Sequence, residues 1–267
     1  MTDRILLASD GGAASAAALR WVIDRVGAGS AEVEIVDAAG ADGAERAQVA
    51  ERHGNVEGMA ALLRLVAPFV TVTVTESAEP VLDPRLDAPD ALLVVGMRRR
   101  DRRATRFAEL ALARARGPVV VVPAEWICRD GPVVVGIGAE DDLTETLAFA
   151  AATAAAGRVE VQLIHAWQTT GTGEIPPAWD FGTDSIPERQ QRALAHLARV
   201  ARQSHPELIV TAEAVQGPVV PKLVDAARTA SLLVVGRSHR NAVVQAMLGS
   251  TARGLLAELP CPVAIIP

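Results

Sequence analysis

Tyrosine is absent from this 267-residue chain, and phenylalanine and tryptophan occur only four times each. Aromatics are 3% of residues while half are hydrophobic, so the core has to be assembled from Ala, Val, Leu and Ile. Two cysteines, Cys128 and Cys261, are too few for a disulfide framework or an all-cysteine zinc site. Lysine occurs once, at Lys222, outside any GK[ST] context. That removes Walker A phosphate chemistry and leaves Schiff-base chemistry without support. No segment reaches the roughly 18 apolar residues that span a bilayer; the alanine-rich run 147–157 stops short. The opening MTDRILLASDGG carries an apolar stretch of only four residues, unlike a secretory leader. Positive charge is not in excess either: 32 acidic against 26 basic residues give a net charge of −6. Such a surface argues against a protein that coats nucleic acid. A soluble, cytoplasmic protein without a membrane partner is expected.

What the chain does contain is itself, twice. Ala91-Leu-Leu-Val-Val-Gly96 recurs as Ser231-Leu-Leu-Val-Val-Gly236, and Gly117-Pro-Val-Val-Val-Val-Pro123 as Cys261-Pro-Val-Ala-Ile-Ile-Pro267. Ile5–Ser9 matches Val133–Ile137 and Val33–Ala38 matches Val161–Ala166, both at an offset of 128 residues. A period near 130 residues is a duplicated domain rather than a solenoid unit. The expected domains are 1–125 and 131–267. In each copy, short apolar β-branched runs alternate with helical patterns. The strands are expected at 4–9, 32–38, 70–75, 91–96 and 118–123, then 132–137, 159–166, 208–215, 231–236 and 262–266. Runs apolar on both faces suit parallel strands covered by helices, so each copy reads as an α/β, doubly wound parallel sheet. Helices are expected over Ala14–Val26 and Pro187–Gln203, with a further one within Pro221–Ala230. Its counterpart in the first copy, Glu79–Asp90, contains Pro84 and Pro89, which forbid a regular helix. The flat closing runs would be aggregation-prone as free edges. Pairing them about a pseudo-two-fold axis removes that hazard and makes the chain an intrachain pseudo-dimer.

Doubly wound sheets bind ligands beyond the carboxyl ends of their strands. In the second copy the loop after LLVVG runs Gly236-Arg-Ser-His239, then nine residues to Gly249-Ser250-Thr251. Glycines allow backbone to approach a phosphate, and a helix opening at Gly249-Ser250 offers unpaired N–H groups to an anion. This loop resembles the phosphate loop of the universal stress protein family, G-x2-G-x9-G-[ST], with His239 in place of the second glycine. The likeness extends over nearly the whole chain in two copies, through the LLVVG strands, the closing CPV strand and the turn Ser9-Asp10-Gly11-Gly12 with Ser15 and Trp21. The resemblance implies two tandem Rossmann-like domains and a stress-response regulator that binds ATP or another adenine nucleotide. It further implies that Asp10 stands where an aspartate meets the adenine, with Asp37–Ala38 near the residue beside it.

The copies depart from the pattern in complementary ways. The second keeps the loop but has Gly138 where the first has Asp10. The first keeps Asp10, but its stretch from Gly96 to Pro118 is four residues shorter than Gly236 to Pro262, and Thr105-Arg106 fall where Gly249-Ser250 lie. The second copy is therefore the expected nucleotide site. The alternative is a nucleotide-free interaction or scaffold protein with decayed sites, and for Asp10 a local role in capping or tying its turn. The segment Met97–Arg106, with six arginines, reads either as an anion site or as a solvated loop. Trp179 and Phe181 lie in a Gly/Thr/Pro-rich loop that either lids the second site or covers the sheet. His165 ends a strand near the ligand side; His53, His196 and His205 have no metal-ligand spacing. Ser9–Ser15 superficially resembles the SGGxDS loop of ATP pyrophosphatases, but its aspartate precedes the glycines. No nucleophile–base set converges elsewhere, so at most slow ATP hydrolysis is expected. A protein partner, its identity and any further homodimerisation are left open.

Overall fold

The structure is a computed structural model that describes residues 3–27, 29–38, 46–77, 83–99, 101–138, 143–167, 186–237 and 249–267. Its elements run β1 (Asp3–Ser9), α1 (Ala13–Val26), β2 (Ala31–Asp37), α2 (Arg46–Val66), β3 (Val70–Glu76), β4 (Ala91–Met97), α3 (Arg102–Arg114) and β5 (Val119–Pro123). They continue with β6 (Val133–Gly136), α4 (Thr144–Gly157), β7 (Val161–Trp167), α5 (Ile186–Ser204), β8 (Val210–Gln216), α6 (Val219–Ala227), β9 (Leu232–Gly236), α7 (Ser250–Glu258) and β10 (Val263–Ile266). Each expected strand is present within about two residues, a normal uncertainty for element ends.

Packing divides the chain into two units. One holds Met1–Arg129 together with Arg237–Pro267, the other Asp130–Gly236. The last helix and strand of the second sequence copy thus belong spatially with the first unit. In that unit the strand order is β3-β2-β1-β4-β5-β10. The first five are parallel, with register such as Ile5 beside Val33 and Leu92. β10 lies antiparallel to β5, placing Ala264 opposite Val120. The flat closing runs are therefore mutual partners, and Val119 to Val122 are wholly buried. The other unit has the order β9-β6-β7-β8, again parallel.

Helix faces follow the sequence spacing. α1 buries Ala17, Ala18, Leu19, Trp21, Val22 and Val26, and α5 buries Leu194, Ala198 and Ala201. The glycine next to the end of β4 has a packing reason: a Cβ on Gly96 would overlap the carbonyl oxygen of Ala14, so the start of α1 rests on the strand end. In the proline-rich stretch of the first copy only a 3-10 turn, Pro84–Asp87, is formed. Asp83 caps it, accepting from the Arg85 N–H at 3.0 Å. The Arg85 guanidinium reaches the Asp83 carboxylate, Thr75 Oγ1 and Glu34 Oε1. One charged side chain thereby ties β2, β3 and the turn together where a helix is missing.

Candidate functional site

In both units the first strand of the sequence copy is flanked by strands of opposite connection, β2 and β4 around β1, β7 and β9 around β6. The carboxyl ends of β1 and β6 are thus switch points, where an open α/β sheet leaves a crevice.

At the β1 switch point the turn is tied by its own side chains. Asp10 Oδ1 accepts from the Gly12 N–H at 2.9 Å and from Ser15 Oγ at 2.8 Å, while the Asp10 N–H donates to Ser15 Oγ at 3.1 Å. The Gly11 N–H donates to Ser9 Oγ at 3.2 Å. Gly11 adopts a positive φ of 72°, and a Cβ there would overlap the carbonyl oxygen of Arg52 in α2. Asn55 Nδ2 donates to the Gly11 carbonyl at 3.2 Å. Helix α2 therefore sits directly on the turn.

The same helix closes the end of β2. Asp37 is 4% exposed, and its Oδ2 accepts from Nδ1–H of His53 at 2.5 Å. Glu76, at the end of β3, stands 3.9 Å from the same nitrogen. The hydrogen bond to Asp37 raises the His53 pKa above its ordinary value; burial opposes this, and the charges of Asp37, Glu76 and Glu57 add to the rise. A buried carboxylate with a histidine partner thus stands at the second-strand end.

At the β4 end the arginine run divides. Arg98 and Arg99 follow β4 outside any helix, while Arg102, Arg103 and Arg106 lie in α3. Thr105 and Arg106 are inside this helix rather than at its start, which corrects the reading of Met97–Arg106 as a loop throughout. The start belongs to Asp101, whose Oδ1 accepts from the Ala104 N–H at 3.2 Å. An acidic side chain therefore occupies the position at a helix N-terminus where a phosphate would bind.

The second copy differs at the corresponding points. Gly236 closes β9, and the nearest atom to a Cβ there would be Thr146 Oγ1 at 3.3 Å. Gly249 is the N-cap of α7, with φ −58° and ψ 155° and no side-chain capping bond. Among the described residues nothing lies within 4 Å of where its Cβ would be, and the first turn, beginning Ser250-Thr251, has no acidic residue. Gly236 lies in the Asp130–Gly236 unit and Gly249 to Thr251 in the other. His239 lies outside the described residues, as do Trp179 and Phe181. Gly138 follows β6 without a side chain to offer. His165, at the end of β7, donates from Nδ1–H to the Ile137 carbonyl at 2.9 Å. Arg237 donates through both terminal nitrogens to the Ala115 carbonyl at the end of α3, each at 3.2 Å. Burial lowers its pKa, and a cation at a helix C-terminus complements the dipole.

Among the described residues no group of three His, Cys, Asp or Glu side chains could hold a metal ion. No described helix is long and apolar enough to cross a membrane. Three features escape sequence reasoning: the Asp37–His53 pair, the Arg85 network and the Asp101 cap. Of these only Asp101 leaves a local signal, a capping-type residue ahead of an amphipathic run.

The model of the universal stress protein family matches residues 131–267. A universal stress protein of Mycobacterium tuberculosis, Rv1996, is 32% identical over 162 residues, covering 57% of this chain and 50% of that protein. A second from the same organism, Rv2005c, is 26% identical over 138 residues, covering 50% and 47% respectively. The matched stretch spans about half the length of these curated relatives. Among solved structures, a universal stress protein from Archaeoglobus fulgidus superposes with a TM-score of 0.66 at 16% identity, covering 99% of this chain and 96% of that one. A functionally unknown protein from Pseudomonas aeruginosa gives 0.65 at 14% identity, with 99% and 92% covered. The fold is therefore the Rossmann-like α/β fold of these proteins over the whole chain. This chain belongs to the universal stress protein family.

Proposed function

We propose that the chain is an adenine-nucleotide-binding stress-response regulator in which the second sequence copy supplies the phosphate contacts and the first copy binds no nucleotide. The observation that carries this reading is the contrast between two helix starts. α3 begins behind the carboxylate of Asp101. α7 begins at Gly249 with no described residue against it and no acid in its first turn. Unpaired N–H groups and the positive end of the helix dipole favour an anion at the second and not at the first. The loop spacing from Gly236 through His239 to Gly249-Ser250 supports the same assignment. His239 supplies an imidazole in place of a glycine, and Thr251 a hydroxyl in the first turn.

At the first copy, the Asp37–His53 pair and the packing of Arg52 on Gly11 fill the base end of the crevice. Asp10 spends Oδ1 on Gly12 and Ser15, a local tie rather than a ligand contact.

The test is calorimetric titration of ATP into the wild type and into Gly249→Asp. This substitution copies the cap that Asp101 provides and suits an N-cap, so the helix keeps or gains stability. Binding at one site per chain is expected in the wild type, with loss of at least about tenfold in affinity in the variant, equivalent to about 1.4 kcal/mol. Unchanged affinity in Gly249→Asp sinks the assignment. A second reading, a nucleotide-free interaction protein, is favoured by one observation, the lack of a carboxylate at Gly138. Absence of any heat at millimolar ATP selects it.

A further inference from the structure

Helix α2 is apolar on two faces. Its inner face buries Val56, Met59, Ala60 and Leu63. Its outer face exposes Leu62 by 45%, Leu65 by 79% and Val66 by 46%. Phe69, 70% exposed, continues the same i, i+3, i+4, i+7 row just past the helix end. Toward the N-terminus this face narrows to Gly54, Gly58 and Ala61, all exposed. A Cβ on Gly54 or Gly58 would meet no described residue within 4 Å. A helix apolar on both faces is ordinarily covered on both, and a contiguous exposed apolar patch marks a contact surface. The fold itself does not call for this patch. α5 holds the equivalent position in the second copy, after β7 as α2 follows β2. Its outer row reads Arg192, His196, Arg199 and Gln203, all exposed.

We propose that the outer face of α2 is a homodimer contact, covered by α2 of a second copy of this chain lying antiparallel about a two-fold axis. Self-complementarity along the helix carries this choice of occupant. Bulk sits in the C-terminal half and open space in the N-terminal half. Reversing the second helix lays Leu65 of each copy against Gly54 of the other, with Gly58 beside Ala61 at the centre. The charges follow the same arrangement. Glu57 and Arg64 are exposed and seven residues apart, hence on one flank of the helix. The two-fold axis puts these flanks on the same side, where Glu57 of each copy meets Arg64 of the other. Arg64 also donates through Nη2 to the Val72 carbonyl at 3.0 Å, which ties its side chain to β3. One helix face from each copy is a small contact beside the roughly 800 Å² per partner of a standard interface, so the dimer forms in the micromolar range.

The test is sedimentation velocity on the full-length chain without nucleotide, from low micromolar to submillimolar concentration. A reversible monomer–dimer equilibrium is expected. Gly58→Gln fills the centre of the contact while replacing a glycine with a better helix former. Its urea midpoint, measured where the chain is monomeric, should therefore hold or rise while dimer affinity falls at least about tenfold. Leu65→Gln should weaken the dimer to a similar extent. Glu57→Arg and Arg64→Glu should each weaken self-association. An equimolar mixture of those two variants should dimerise more tightly than either alone, because the mixed pair restores opposite charges on the shared flank. Three results overturn the proposal. They are a chain that stays monomeric throughout, which leaves the patch to another occupant, a dimer of unchanged affinity in Gly58→Gln and Leu65→Gln, or no gain on mixing the two charge variants.

Discussion

His53 donates from Nδ1–H to the buried carboxylate of Asp37 at 2.5 Å, joining helix α2 to the end of strand β2. In an open α/β sheet that strand end borders the ligand crevice, so the pair stands at its edge. The helix brings its own backbone onto Gly11 at the same place. Asp101 stands likewise at the start of α3, beyond the end of β4.

The pair makes stability depend on pH near neutrality. The His53 pKa is raised in the folded protein, chiefly by its hydrogen bond to Asp37. Its contribution is complete below the unfolded histidine value of about 6.5 and is lost as pH rises through the folded value. Urea unfolding midpoints should therefore fall as pH is raised through that window. In His53→Ala the slope should disappear. A slope that persists in His53→Ala assigns it to another group.

A second pH dependence has the opposite sign. Asp83, held by Arg85, has its pKa lowered from 3.8 to about 2. Its contribution, on the order of 2 kcal/mol, is present above pH 3.8 and lost as pH falls through about 2. Acid unfolding followed by circular dichroism should begin at higher pH in the wild type than that Asp83 value alone requires only if other carboxylates contribute. Asp83→Asn should remove the acid-side slope belonging to this group.

Gly11 and Asp101 test the two local ties. Gly11→Ala places a Cβ at positive φ against the Arg52 carbonyl. The conformational penalty alone is about 1–2 kcal/mol, and the overlap adds to it. Asp101→Ala removes the α3 cap and should cost about 1 kcal/mol. Both are read from urea unfolding curves. A cost for Gly11→Ala below that of Asp101→Ala contradicts the packing of α2 on the turn.

The strand pattern was legible because parallel strands buried on both faces read as unbroken β-branched runs, and Val119–Val122 and Val133–Val135 are buried throughout. The partnership of β5 with β10 was legible for the same reason: two flat apolar runs of equal length in one chain satisfy each other. The Asp37–His53 pair was not. It depends on the rotation of α2 about its axis and on where α2 begins relative to β2, and neither follows from a 16-residue separation along the chain. The start of α3 was hidden by composition, because six arginines between 97 and 106 read as solvated connection although helix-forming arginines begin at Arg102. The assignment of α7 and β10 to the first unit was likewise beyond a reading in which each repeat packs with itself.

The central claim, nucleotide held by the second copy and refused by the first, is tested most directly by photolabelling the full-length chain with 8-azido-ATP and mapping the labelled peptides. The account predicts saturable labelling, competed by ATP, confined to peptides within residues 131–267. Labelling on peptides bearing Asp10, Asp37 or His53, or the absence of any ATP-competed label, contradicts it.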